Sequence, residues 1–268
     1  MAEPLEWTLD GHSGELAVRT WRSTGARWLA VLCHGYGEHV GRYQRVADAL
    51  VAAGAVVVGH DHLGHGRSAG ERVLITDFEP VVGDLHAVLS TAQQQDSGLP
   101  TVLIGHSLGG MIAARYAQRH PQVLAALVLC GPVLGTWQAL DQLEQEQIPD
   151  LPIDPDTLSR DPRVGAEYLA DPLVWHGPFK RPTLEAIDTT LHTIDFDHPL
   201  GDEMRALWIH GEDDELVPLA DTRTGMDRIR GLGFEEIIYP GARHEVFNEI
   251  NSDEVLTDVI AFVRRALG

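Results

Sequence analysis

The chain has 268 residues, 44% of them hydrophobic, enough to bury a full α/β core as one domain plus an insertion. Lys and Arg number 20 against 40 Asp and Glu, a net charge of −20, which argues against nucleic acid and anionic bilayers, since both attract basic clusters. No apolar run approaches the roughly 18 residues that a membrane helix needs. The opening Met1–Glu6 lacks the basic start and apolar core of a secretory signal, so the cytoplasm is the expected compartment.

Leu5–Asp10 and Glu15–Arg22 read as an opening hairpin, and Trp28–Cys33 as the first strand of a mainly parallel sheet. That strand runs into His34-Gly35-Tyr36-Gly37, whose glycines let the backbone turn. The spacing predicts a helix over Tyr43–Ala53, stopped by Gly54, then a strand over Ala55–Gly59 and a helix over Phe78–Gln94. Next comes the apolar run Leu99–Ile104, then Gly105-His106-Ser107-Leu108-Gly109, then the small, helix-compatible stretch Gly110–Ala117. Strand, sharp turn and helix in that order form a nucleophile elbow, with Ser107 as the expected nucleophile. Glycine is needed on both sides because the strained turn leaves no room for β-carbons where helix and strand approach.

A serine hydroxyl attacks carbonyls only when a base takes its proton and a third group orients that base. Downstream of a strand at Leu124–Cys130 and a long insertion, Met204–His210 reads as a strand running into Gly211-Glu212-Asp213-Asp214-Glu215. An acid at the end of a strand is the expected orienter. Four consecutive acids compete for that role, and the spacing from Gly211 to Pro218 favours Asp214, with Asp213 as the alternative. Phe234–Tyr239 reads as a further strand, and the loop behind it carries His244, the expected general base. Val255, Val259, Phe262 and Val263 give the closing helix an apolar face. For the oxyanion, the expected donors are the backbone N–H groups of Leu108, just after the nucleophile, and of Tyr36, in the first glycine loop.

The chain has 14 histidines. His60, His62 and His65 crowd one loop, and His34, His39 and His106 are candidates for the neighbourhood of the site. With no H-E-x-x-H and no paired Cys-x-x-Cys, no metal and no cofactor is expected. His106 is expected to be a hydrogen-bonded neighbour of the nucleophile rather than the base.

Beyond these general signals, six segments share a pattern: His34–His39 with Gly41-Arg42-Tyr43, Asp61–Ser68, Gly105–Gly110, Ser159–Pro162, Tyr168–Leu173 and His244–Glu249. Together they resemble the monoacylglycerol lipases, particularly the bacterial ones, over most of the chain. The resemblance implies an α/β-hydrolase fold, with a mostly parallel central sheet flanked by helices and a cap inserted after the sixth strand. The core would be residues 1–130 and 200–268, and the cap or lid residues 131–199. It also implies hydrolysis of a monoacylglycerol to fatty acid and glycerol through an acyl-enzyme, with Glu38, Arg42 and Tyr168 helping to bind the glycerol hydroxyls. A glycerol head wants both acceptors and donors, which Glu38 on one side and Arg42 and Tyr168 on the other provide. From spacing alone, Glu38 and Arg42 read equally well as a local ion pair bracing the start of a helix.

The resembled fold puts the nucleophile strand between those ending in Cys33 and Cys130. Two strand spacings are about 9–10 Å, too far for a disulfide. Members of the family often carry a markedly apolar, membrane-touching helix in the cap; here Trp137–Ile148 is short and acidic. At most weak, transient membrane contact through the cap is expected. Leu134, Trp137, Leu140, Leu143, Trp175 and Phe179 are candidates to wall an acyl channel, and equally for ordinary packing between cap and core. The expected partner is a small lipid ester substrate. The alternatives are a broader carboxylesterase or lysophospholipase on the same triad, or a non-catalytic ligand-binding protein of the same fold.

Overall fold

The computed structural model describes residues 3–268; Met1-Ala2, the start of the segment read above for a secretory signal, lies outside them. Strands β1 (Leu5–Gly11) and β2 (Gly14–Trp21) form the opening antiparallel hairpin, and β2 pairs antiparallel with β4 (Ala55–His60). Beyond β4 lie β3 (Trp28–Cys33), β5 (Thr101–His106), β6 (Ala126–Cys130), β7 (Ala206–Gly211) and β8 (Phe234–Tyr239), side by side and all parallel.

Every residue of β3, β4, β5, β6 and β7 is buried, which is why these strands read as unbroken apolar runs rather than as alternating patterns. The period-two alternation instead sorts residues between two cores. Leu29, Val31 and Cys33 face α2 (Phe78–Gln95), α3 (Leu108–Arg119) and α5 (Arg181–Phe196). Trp28, Ala30 and Leu32 face α1 (Gln44–Ala52) and α7 (Ser252–Leu267). Each fully buried Leu or Val on either face contributes roughly 1.5–3 kcal/mol. The predicted helix over Tyr43–Ala53 is α1 preceded by a 3₁₀ turn, Val40–Tyr43, and it ends where Gly54 takes a φ of +92°.

The chain leaves β3 towards β4 on one side and returns to β5 on the other. Loops after β3 and β5 therefore diverge at the C-terminal edge of the sheet, where a doubly wound fold opens its ligand crevice. The cysteines lie as the resemblance implied: Cys33 ends β3, Cys130 ends β6, and β5 runs between them.

Between β6 and β7 the described residues form no strand. This stretch carries 3₁₀ turns at Gln138–Glu144 and Pro155–Thr157, α4 (Pro162–Ala170) and α5. Asp161 caps α4, accepting from the N–H of Arg163, with Pro162 opening the helix. Leu158, Val164, Tyr168 and Val174 build a small apolar cluster of their own, separate from the two sheet cores. Helix α5 differs: Leu184, Ile187, Leu191 and Ile194 sit in the same core as α2 and α3, so it flanks the sheet while the chain before it rises over the edge. The remaining helix, α6 (Leu219–Ile229), follows β7.

Candidate active site

Ser107 stands between β5 and α3 with φ +54° and ψ −122°, a left-handed conformation that costs a non-glycine residue about 1–3 kcal/mol. Hydrogen bonds over-determine the turn. Ser107 N–H donates to Cys130 O at 3.0 Å, and Ser107 O accepts from Val133 and Gly110 N–H at 3.1 and 2.9 Å. A Cβ on Gly109 would run into the carbonyl oxygens of Cys33 and His34, so only glycine lets the start of α3 lie against the end of β3. This contact sets the nucleophile turn against the start of the first glycine loop, before the two loops diverge. A Cβ on Gly35 would stand 3.1 Å from that of Ser107. Leu108 is the first residue of α3, so its N–H is among those a helix leaves without an internal partner.

His244, in the loop after β8, is buried, and its Nδ1 lies 2.8 Å from Asp214 Oδ2. Of the four consecutive acids only Asp214 is buried; Glu212, Asp213 and Glu215 are exposed. Its Oδ1 accepts from the N–H groups of Leu216 and Val217 at 3.0 and 2.9 Å, and His210 Nε2 lies 3.3 Å from Oδ2. Burial alone would raise the Asp214 pKa, but His244 and the hydrogen bonds from His210 and His244 outweigh it and hold the carboxyl well below the usual range. Burial likewise opposes charge on His244, yet the Asp214 carboxylate, followed by Glu245 and Glu38, holds its pKa above the ordinary imidazole value. The insertion grips this loop: Glu245 N–H donates to Leu158 O at 2.8 Å.

His106 packs against His244 with ring centroids 4.7 Å apart, and its Nδ1–H donates to Cys130 O at 3.1 Å. Burial, then the neighbouring His244, pushes its pKa down to about 4, so it stays neutral. The other histidine candidates make contacts of their own. His34 Nε2 accepts from His62 N–H at 2.9 Å, His60 and His65 pack beside His62, and His39 Nε2 reaches Asp171 at 2.8 Å in the insertion. Among the described residues no group of these side chains is arranged to hold a metal ion.

Glu38 and Arg42 do form the ion pair that spacing allowed, at 2.8 Å, but they are not alone. Glu245 takes the other side of Arg42, with Oε1 2.7 Å from one terminal nitrogen and Oε2 3.0 Å from the other. Glu38 Oε1 accepts from Tyr43 Oη at 2.6 Å and Gly35 N–H at 2.7 Å. The guanidinium carbon lies 5.4 Å from the centre of the Tyr168 ring. Sequence reading gave Glu245 no role of its own, although it stands directly after the expected base in the segment His244–Glu249 that carries the resemblance.

Ser107, His244, Glu38, Arg42 and Glu245 border one cavity of about 310 Å³, walled by Gly35 and Tyr36 on the sheet side and by Tyr168 and Ile153 of the insertion. Of the six candidates for an acyl wall, Trp137 and Phe179 line it. Leu134 is buried in the sheet core, and Leu140 and Leu143 pack against that core. Trp175 instead ties the insertion to the first glycine loop, its N–H donating to Gly37 O at 2.7 Å. Tyr36 packs against Phe179 with ring centroids 4.6 Å apart and the planes tilted by 32°. A strained serine at the start of a helix and an imidazole oriented by a buried carboxylate, both at one cavity, are parts that acyl transfer from an ester requires.

A family model described as "Serine aminopeptidase, S33" matches residues 24–251. A monoacylglycerol lipase of Mycolicibacterium smegmatis is 36% identical over 255 residues, spanning 90% of this chain and 89% of that one. Among solved structures, a Paleococcus ferrophilus monoacylglycerol lipase superposes with a TM-score of 0.81 at 25% identity, covering 94% of this chain and 99% of the other. A Bacillus coagulans carboxyl esterase in complex with glycerol gives the same TM-score and identity over the whole of both chains. The elbow, the parallel sheet and these likenesses agree: the chain belongs to the S33 serine hydrolases of the α/β-hydrolase fold, and within them to the monoacylglycerol lipase family.

Proposed function

We propose that this protein hydrolyses monoacylglycerols to free fatty acid and glycerol through an acyl-enzyme. The observation that carries the reading is one cavity bordered by Ser107 and His244 and also by the polar group Glu38, Arg42 and Tyr168. Ser107 Oγ attacks the ester carbonyl while His244 Nε2 takes its proton, and Asp214 keeps Nδ1–H pointed away from the serine. The N–H groups of Tyr36 and Leu108 receive the negative oxygen of the tetrahedral intermediate. His244 then gives its proton to the departing glycerol oxygen. Water attacks the acyl-serine by the same route in reverse order and releases the fatty acid.

The head group lies against Arg42 and Tyr168. Of the five N–H donors of Arg42, three are taken by Glu38 and Glu245, which leaves donors for glycerol hydroxyls. Within residues 131–199 the stretch before α5 acts as the cap, with Trp137, Ile153 and Phe179 walling the acyl chain. The 3₁₀ turn Gln138–Glu144 buries none of its residues and is acidic, which supports at most weak, transient membrane contact. No helix among the described residues is long and apolar enough to cross a membrane.

The test is fatty-acid release from matched mono-, di- and triacylglycerols, lysophosphatidylcholine and a simple alkyl ester of one acyl chain. A clear preference for the monoacylglycerol is expected, and Tyr168→Phe should reduce it about five- to tenfold while changing the alkyl ester rate less than about twofold. Equal rates on the alkyl ester would reduce the enzyme to a general carboxylesterase.

A further inference from the structure

An arginine beside an ester-hydrolase cavity is by default an anion receptor, because its two terminal nitrogens present parallel donors that match a phosphate. In this protein the fork is already taken. Glu245 occupies both terminal nitrogens at 2.7 and 3.0 Å, and Glu38 adds a third bond at 2.8 Å. Neither carboxylate is free to swing aside. Asn248 Nδ2 holds Glu245 Oε2 at 2.8 Å, and Tyr43 and Gly35 hold Glu38 Oε1.

All three side chains are nearly buried, at 11% exposure for Arg42 and 6% for each glutamate, so their charges are weakly screened. Two carboxylates on one guanidinium leave the group net negative. Among the described residues no other Lys or Arg borders the cavity, whereas Asp154 and Glu215 add two more acids to its wall.

We propose that Glu245 is a specificity-determining residue: by cancelling Arg42 it makes the head-group end of the cavity anionic. The site then admits uncharged polyol esters and turns away acyl esters whose head carries a phosphate. This rests on the reading of the cavity as a glycerol-ester site. A phosphate arriving there would have to displace Glu245 from the guanidinium or sit against a surplus carboxylate, and like charges placed together are a strong basis for rejection. A glycerol head meets no such barrier and uses the donors that the glutamates leave over. Glu245 touches Arg42 and not the reacting atoms, so its part is to set the charge of the pocket.

The experiment compares kcat/KM for a 1-monoacylglycerol with that for the 1-acylglycerol 3-phosphate of the same chain. Wild type should favour the uncharged ester strongly. Glu245→Gln should narrow that ratio by about tenfold or more, while Glu245→Asp, which keeps the charge, should retain it even if both rates fall. A purely structural residue would lower both substrates equally in both variants, and that result overturns the proposal. A second arm needs no variant: inhibition of wild-type hydrolysis of a simple alkyl ester by glycerol and by glycerol 3-phosphate. Stronger inhibition by glycerol is expected; equal or stronger inhibition by glycerol 3-phosphate overturns the charge argument. Absence of monoacylglycerol turnover would instead remove the substrate reading, with the inhibition arm still deciding the charge of the pocket.

Discussion

Asp214 Oδ2 lies 2.8 Å from His244 Nδ1, reached from the loop after β7 while the histidine comes from the loop after β8. The pair fixes which imidazole nitrogen carries the proton, and leaves Nε2 to work as the base. Asp214→Asn should therefore lower kcat by about 10³–10⁴-fold with the far-UV circular dichroism unchanged. Asp213→Asn, on an exposed neighbour, should stay within about twofold of wild type. Steady-state kinetics on the two variants checks the assignment; a larger loss at Asp213 would reverse it.

His244 must be neutral to accept the serine proton. Its pKa sits above the ordinary 6.5 because Asp214 outweighs the opposing effect of burial. The acid limb of kcat/KM should thus have its midpoint above pH 6.5, and activity should fall as pH drops through it. The sign for stability is opposite: the ion pair contributes fully below 6.5 and its contribution is lost as pH rises through the folded-state pKa. A pH profile of kcat/KM with an acid limb at or below 6.5 would contradict this electrostatic account.

Ser107 and His244 were legible because elbow glycines and strand-then-loop order are local patterns. Asp214 was legible only by spacing; what separates it from Asp213 is burial, which a run of four acids does not encode. The role of Glu245 was not legible because its partner Arg42 is 203 positions away and the two meet only once the loops after β8 and β3 come together at the C-terminal edge of the sheet. The wall at Leu151, Pro152 and Ile153 belongs to a proline-rich stretch with no periodicity to read. Helix α5 carries its apolar face openly in Leu184, Ile187, Leu191 and Ile194, yet counting it with the insertion hid that it flanks the sheet.

The glycine pattern makes a paired prediction. Gly109→Ala would drive a Cβ into the carbonyl oxygens of Cys33 and His34, backbone that has no room to yield, so a loss of about 3 kcal/mol or more is expected. Gly83 lies inside α2 with open space around it, and Gly83→Ala should stabilise by about 0.5–1 kcal/mol through helix propensity. Urea denaturation of the two variants checks both signs.

Acid should weaken the fold through its buried histidines. Burial pushes His60, His65 and His106 down to about 4. The unfolded chain therefore binds protons first, and stability that is intact above pH 6.5 is lost as pH falls towards 4, by about 3 kcal/mol for each such group. Neither ring nitrogen of His60 has a hydrogen-bond partner among the described residues. His60→Leu should accordingly flatten the decline of Tm between pH 7 and 4, measured by thermal melting across that range; a decline as steep as wild type's would contradict the assignment.

The most direct test of the account is to follow fatty acid and glycerol released from a monoacylglycerol by the wild-type protein and by Ser107→Ala. Alanine keeps the backbone of the elbow and removes only the attacking oxygen. Wild type should release the two products in equal amounts, and the variant should melt like wild type while losing about 10³-fold or more in kcat. Turnover retained by Ser107→Ala, or a wild-type protein that folds and leaves the monoacylglycerol intact, would contradict it.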